Sequence, residues 1–161
     1  MDSTWQITYE LTWSLAAALL NTEISNSVED SVDSIGNPTT FNGNSLTHAP
    51  EQSLSSTLNW TNDISDSMVL SIQGNVAYKS DFYLRYDNDP SAYWDKSSVT
   101  VGARIVLSDT NDVWSIALWG RNITNEEIPT YQSFSLSKAD HFVFYNQPAT
   151  YGIDFTYRFE E

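Results

Sequence analysis

Apolar side chains recur at every second position through long stretches of this chain. In TYGIDFTYRF, residues 150–159, Tyr151, Ile153, Phe155, Tyr157 and Phe159 share one parity, and Gly152, Asp154, Thr156 and Arg158 take the other. Side chains alternate across a strand and repeat every 3.6 residues on a helix, so this spacing specifies a strand with one apolar and one polar face. TWQITYELTWSLAAALL, near the start, repeats the pattern: Trp5, Ile7, Tyr9, Leu11, Trp13, Leu15, Ala17 and Leu19 share a parity. It predicts a single strand running past fifteen residues. Its Trp, Ile, Thr and Tyr content favours strand over helix.

Four further segments alternate: SLSSTLNWT, MVLSIQGNVAYKSDFYLRY, SVTVGARIVL and VWSIALWGRN. The expectation is therefore an all-β chain, an antiparallel up-and-down meander of about six long strands. The connections alternate long and short. Residues 21–52, DNDPSAYWDK and 123–149 are long loops, while NDISDS and SDTND are tight turns. A loop as long as 21–52 is unusual inside a compact domain. Short turns at one end and long loops at the other are the habit of transmembrane β-barrels. On that reading the short turns are periplasmic, and the last strand ends on their side. Globular strands usually run about five or six residues, whereas a membrane crossing takes about 9–11.

Composition bounds the function. The 161 residues carry 21 Asp or Glu against seven Lys or Arg, a net charge of −14. Clustered basic side chains are what nucleic acid requires, so no nucleic-acid partner is expected. Cysteine is absent, which removes disulfides, thiol nucleophiles and Cys-based metal sites. Mean hydropathy is −0.36, but alternating strands average to neutral whatever their apolar face meets. Trp and Tyr are abundant, which suits a membrane interface and a sugar-binding surface alike. No basic region precedes SLAAALL, residues 14–20, so it is not expected to be a signal peptide.

The end of the chain resembles a known family. WSIALWGRNITNEE, residues 114–127, resembles the segment of TonB-dependent outer-membrane receptors in which a Trp-led strand closes on Asn-(Leu/Ile)-Thr-(Asn/Asp). Here those positions are Asn122, Ile123, Thr124 and Asn125. QPATYGIDFTYRF, with Pro148 ahead of an aromatic final strand ending at Phe159, resembles the family's C-terminal strand. The LNTEI after the first strand and Ala49-Pro50 before the second fit as well. Glu160 and Glu161 depart from a chain ending at Phe, and Pro148-Ala149 departs from the family's common Pro-Arg.

The resemblance implies a C-terminal portion, residues 1–161, of a 22-stranded barrel, with the signal peptide, plug domain and N-terminal strands not in this sequence. It implies a bacterial outer-membrane receptor taking up a scarce, large nutrient: a ferric siderophore, vitamin or glycan. Its partners would be outer-membrane lipid, the plug and N-terminal barrel strands, TonB acting only through the plug, and the barrel assembly machinery. The machinery would read the series Tyr151, Ile153, Phe155, Tyr157 and Phe159. Loop and rim residues Phe41, Tyr83, Arg85, Tyr93 and Trp94 are the candidate substrate contacts. No enzyme activity, cofactor or metal is expected.

Competing readings are simpler. Arg85, Arg104, Arg121 and Arg158 on the polar parity read first as ion-pair partners that hold the wall in shape. His48 and His141 read as solvated loop residues, and Glu29, Asp30 and Asp33 lack the spacing of a calcium loop. Two other functions stand beside the receptor: a small outer-membrane barrel or pore that closes by oligomerisation, and a soluble carbohydrate-binding β-sandwich with two sheets packed about 10 Å apart.

Overall fold

The alternating segments pair in sequence order. The computed structural model describes residues 1–27, 31–32, 38–94, 96–135 and 140–159. In chain order the strands are β1 (Asp2–Gln6), β2 (Leu11–Leu19), β3 (Ser31–Val32), β4 (Pro38–Thr39), β5 (Gln52–Ser65), β6 (Met68–Lys79), β7 (Phe82–Tyr83), β8 (Tyr93–Trp94), β9 (Ser98–Asp109), β10 (Trp114–Arg121), β11 (Pro129–Ser135), β12 (Asp140–Tyr145) and β13 (Thr150–Tyr157). Seven of them form one antiparallel sheet in the order β1-β2-β5-β6-β9-β10-β13. The other six make three small two-stranded ribbons inside the long connections. A 3-10 turn, Pro90–Ala92, is the helical element among the described residues.

Pairing aligns the parities across the whole sheet. One row runs Leu11, Trp60, Ile72, Ile105, Leu118, Ile153. The next runs Leu70, Leu107, Ile116, Phe155. Residues directly opposite each other share a face, so the sheet has one continuous apolar face. Nothing covers it among the described residues: Ile72 is 40 % exposed, Leu118 50 % and Ile153 73 %. The opposite face is polar and self-satisfied. Gln73 Nε2 donates to Asn59 Oδ1 at 2.7 Å, Thr61 and Ser71 hydroxyls meet at 3.0 Å, and Arg104 Nη1 donates to Asp154 Oδ2 at 3.1 Å. A sandwich needs a second sheet over the apolar face, and among the described residues that layer is missing.

The expected fold class stands, and four details change. The first predicted strand is a hairpin, so the sheet has seven strands where six were expected. Residues 7–10 turn the chain, with Ile7 N–H donating to Leu11 O at 2.8 Å. The Thr8 hydroxyl accepts from the N–H groups of Glu10 and Leu11 at 3.2 and 3.1 Å, and Gln6 Nε2 donates to Thr8 O at 2.6 Å. Side chains thereby build a turn without Gly, Pro or Asn. The new turn falls at the same end as Asp66-Ser67 and 110–113, so the long-short alternation extends to the chain's start.

The third predicted strand ends early, at Lys79. Ser80 is buried; its N–H donates to Gln52 O at 2.9 Å and its hydroxyl accepts from Gln52 N–H at 3.2 Å. Beyond that step Phe82 and Leu84 leave the sheet. The longest strand is therefore β5, at 14 residues, and neither predicted run past fifteen survives. Most of the predicted turn NDISDS is strand, which leaves Asp66 and Ser67 between β5 and β6. The predicted loop 123–149 contains the hairpin β11–β12.

Candidate functional site

The three long connections, 20–51, 80–97 and 122–149, emerge at one end of the sheet and are tied to one another there. Phe82, Leu84 and Ala92 form a small buried cluster, and Trp94 and Ile128 pack against it. Leu84 N–H donates to Ala92 O at 2.8 Å, and His48 N–H to Tyr83 O at 2.9 Å. Asn88 clamps the first two connections: its Oδ1 accepts from Ser45 N–H at 2.7 Å and its Nδ2 donates to Ser45 O at 3.0 Å. Its positive φ of 50° is one that Asn tolerates better than most residues.

The Asn-Ile-Thr-Asn segment organises the third connection. Asn122 leaves β10 at φ 49°; its Oδ1 accepts from Glu126 N–H at 2.9 Å and its Nδ2 donates to the carbonyls of Glu126 and Gln147 at 3.0 Å. Ile123 N–H donates to Val101 O at 2.8 Å, and Asn125, at φ 52°, accepts from Ala149 N–H at 2.9 Å. Asn146 completes the clamp, taking Ile128 N–H on its Oδ1 at 2.8 Å. The segment thus pins both ends of 122–149 to the sheet and seats Ile128 on the buried cluster. Its chemistry here is structural.

The five predicted rim residues are brought to this end, and most are occupied. Phe41 meets Tyr86 edge-on, ring centroids 4.8 Å apart. Tyr83 and Tyr93 are neighbours in the β7–β8 ribbon, 4.7 Å apart. The Tyr93 hydroxyl donates to the Asp81 carboxylate, and Arg85 is paired with Asp87. Trp94 is half-buried against the Phe82 cluster, with Lys96 Nζ 5.6 Å from its ring. Its indole N–H is buried without a partner among the described residues.

More aromatic surface stands on the β11–β12 hairpin, inside the segment predicted as the loop 123–149. Tyr131, Phe142, Phe144 and Tyr145 are all more than half exposed. In register, Tyr131 faces Phe144 and Ser133 faces Phe142, which puts three of these rings on one side of β11–β12. Phe142 and Phe144 are two apart in sequence, a signal that was legible. Glu29, Asp30 and Asp33 lie outside the described residues, as do Glu160, Glu161 and the side chain of His141. No group of three or more metal-ligating side chains occurs among the described residues.

On the polar face, β10 and β13 carry a second cluster. Trp119 lies against Gly152, where a Cβ would collide with its ring. The Arg121 guanidinium sits 5.1 Å from the Trp119 ring centroid, and the Arg104–Asp154 pair flanks them. Arg158, one step past β13, is paired with Asp112 of the 110–113 turn.

No family model matches this chain, and no curated protein matches it in sequence. Solved structures do match in fold. The ferric yersiniabactin uptake receptor FyuA from Yersinia pestis aligns at TM-score 0.77 and 16 % identity, over 96 % of this chain and 22 % of that one. The siderophore receptor PiuA from Acinetobacter baumannii aligns at TM-score 0.66 and 19 % identity, over 93 % of this chain and 20 % of that one. The chain thus has the fold of a stretch of these receptors and spans about a fifth of their length.

Proposed function

We propose that this chain is barrel wall and outer rim of a TonB-dependent outer-membrane receptor, a transporter and not an enzyme. One observation carries the reading: a single-layer sheet whose apolar face is uncovered among the described residues, with a polar opposite face and all long connections at one end. Water does not favour so large a bare apolar face, and hydrocarbon does. The receptor-like fold and the Asn122–Asn125 segment support the same conclusion.

On this reading the apolar rows face lipid, the polar face lines the lumen, and the turns at 7–10, 66–67 and 110–113 lie in the periplasm. The rim gathers a scarce, large nutrient of the siderophore, vitamin or glycan class. Phe41, Tyr83, Arg85, Tyr93 and Trp94 shape that rim. Energy would come from TonB through a plug outside this sequence. β13 would seal against strands outside it too, because lipid offers an open edge no hydrogen bonds. The series Tyr151, Ile153, Phe155, Tyr157 and Phe159 would serve as the assembly signal.

The test is far-UV circular dichroism and solution mass of the purified chain, in plain buffer and in detergent micelles. The expected outcome is aggregation in buffer and sheet signal only in micelles. A monomer that melts cooperatively in plain buffer would overturn the reading. A defined multimer in micelles would favour the self-closing pore instead.

A further inference from the structure

The β11–β12 hairpin pairs only with itself in the sheets among the described residues, and Tyr131, Phe142 and Phe144 are each more than half exposed. Tyr131 and Phe144 lie beside each other on one face, rings tilted with centroids 5.9 Å apart, with Phe142 beyond them. The connections gathered at this end are acidic. In their described residues, 20–51, 80–97 and 122–149 carry eight Asp or Glu against two Lys or Arg. Both cations in the described part of that set are already engaged, Arg85 by Asp87 and Lys96 by the Trp94 ring. An anionic solute or lipid headgroup would meet net repulsion here and find no free described cation. A cation meets an attractive field and bare aromatic faces. The rim already binds its own Lys96 to an aromatic face in this way.

We infer that the Tyr131–Phe142–Phe144 face of the hairpin docks a polycationic ligand, a Lys- or Arg-rich peptide segment. The inference rests on the receptor reading, which puts this end in open water. Carboxylates of the three connections would supply long-range attraction, and the rings would supply short-range cation–π contact. The ligand would leave the ion pair at Arg85 and the Asn122 clamp intact, since neither lies on that face.

Titration calorimetry tests this, with an oligoarginine peptide added to the full chain folded in zwitterionic micelles. Oligoarginine should bind, oligoglutamate should not, and affinity should fall as salt shortens the screening length. Phe144→Leu and Tyr131→Leu keep apolar bulk and remove the π-face, and each should weaken binding about two- to fivefold. Sheet signal in micelles without oligoarginine binding would overturn the inference and leave the receptor reading standing. So would equal binding by both Leu variants, binding of oligoglutamate, or self-association relieved by those variants. A chain that folds as a monomer in plain buffer would instead sink the receptor reading beneath it.

Discussion

The same side-chain types meet opposite fates in two regions. At the rim, Phe82 and Leu84 are 6 % and 9 % exposed; in β13, Phe155 and Ile153 are 67 % and 73 % exposed. Burying such a side chain stabilises by about 1.5–3 kcal/mol in water. The rim obeys that rule and collects its apolar groups into a small core of its own. The apolar face of β13 does not follow it. On the receptor reading proposed above, the contrast has one source: the rim meets water, and the apolar face of the sheet meets a medium as apolar as itself.

The sharpest way to break this contrast is to place a charge on each face of β13. Ile153→Arg or Phe155→Arg should cost about 2–4 kcal/mol at the bilayer midplane. Thr156→Arg, on the polar face next to Phe155, should cost far less. Urea unfolding of the chain refolded into vesicles reads all three. Equal penalties on the two faces would erase the distinction between lipid and lumen.

A second experiment probes the rim alone. Leu84→Ala removes a central member of the Phe82–Leu84–Ala92 cluster and should cost about 2–3 kcal/mol, the low end for a core Leu, because the cluster is small. The loss should be local. Amide exchange should accelerate in 80–97 and around Ile128, with the β5, β6 and β9 ladders unchanged. Exchange that accelerated evenly through those ladders would mean that rim and sheet are one cooperative unit and share a single stabilising core.

The two regions also differ in how far they could be read from sequence. The sheet was legible because parity is a local property: Ile105, Leu107, Ile116 and Leu118 announce their face without knowing their partners. The 7–10 hairpin stayed hidden for the same reason. Its last pair, Gln6 with Thr12, encloses an odd number of residues, so the facing Trp5 and Trp13 share a parity and the alternation runs through the turn unbroken. The bend rests on the Thr8 hydroxyl and the Gln6 amide instead of Gly or Pro. The rim was less legible because its order is non-local. Phe82 and Leu84 continue the parity of Tyr78, and contacts made outside their own strand, with Ala92, Trp94 and Ile128, accompany their departure from the sheet. Of the predicted site, all five residues reach the rim, but Arg85, Tyr93 and Trp94 are spent on holding it together. The barer rings of β11–β12 are not among those five. The Asn122 segment was found by resemblance, and its backbone, in the left-handed region at Asn122 and Asn125, supplies the reason those positions are Asn.

The smallest expected effect concerns the polar face. Arg104 and Asp154 meet at 3.1 Å with side chains 43 % and 49 % exposed. An ion pair that wet contributes at most about 1 kcal/mol, because water screens the attraction and two side chains lose freedom to make it. A double-mutant cycle on Arg104→Met and Asp154→Asn, read by unfolding from vesicles, should give a coupling below about 0.5–1 kcal/mol that shrinks with added salt. That value would mark the polar face as a water-filled wall, the third environment beside lipid and rim. A coupling near 3 kcal/mol, insensitive to salt, would mean the pair is desolvated. Something would then cover the polar face as firmly as the cluster at Phe82 is covered, and the two-solvent contrast would apply only to the apolar side of the sheet.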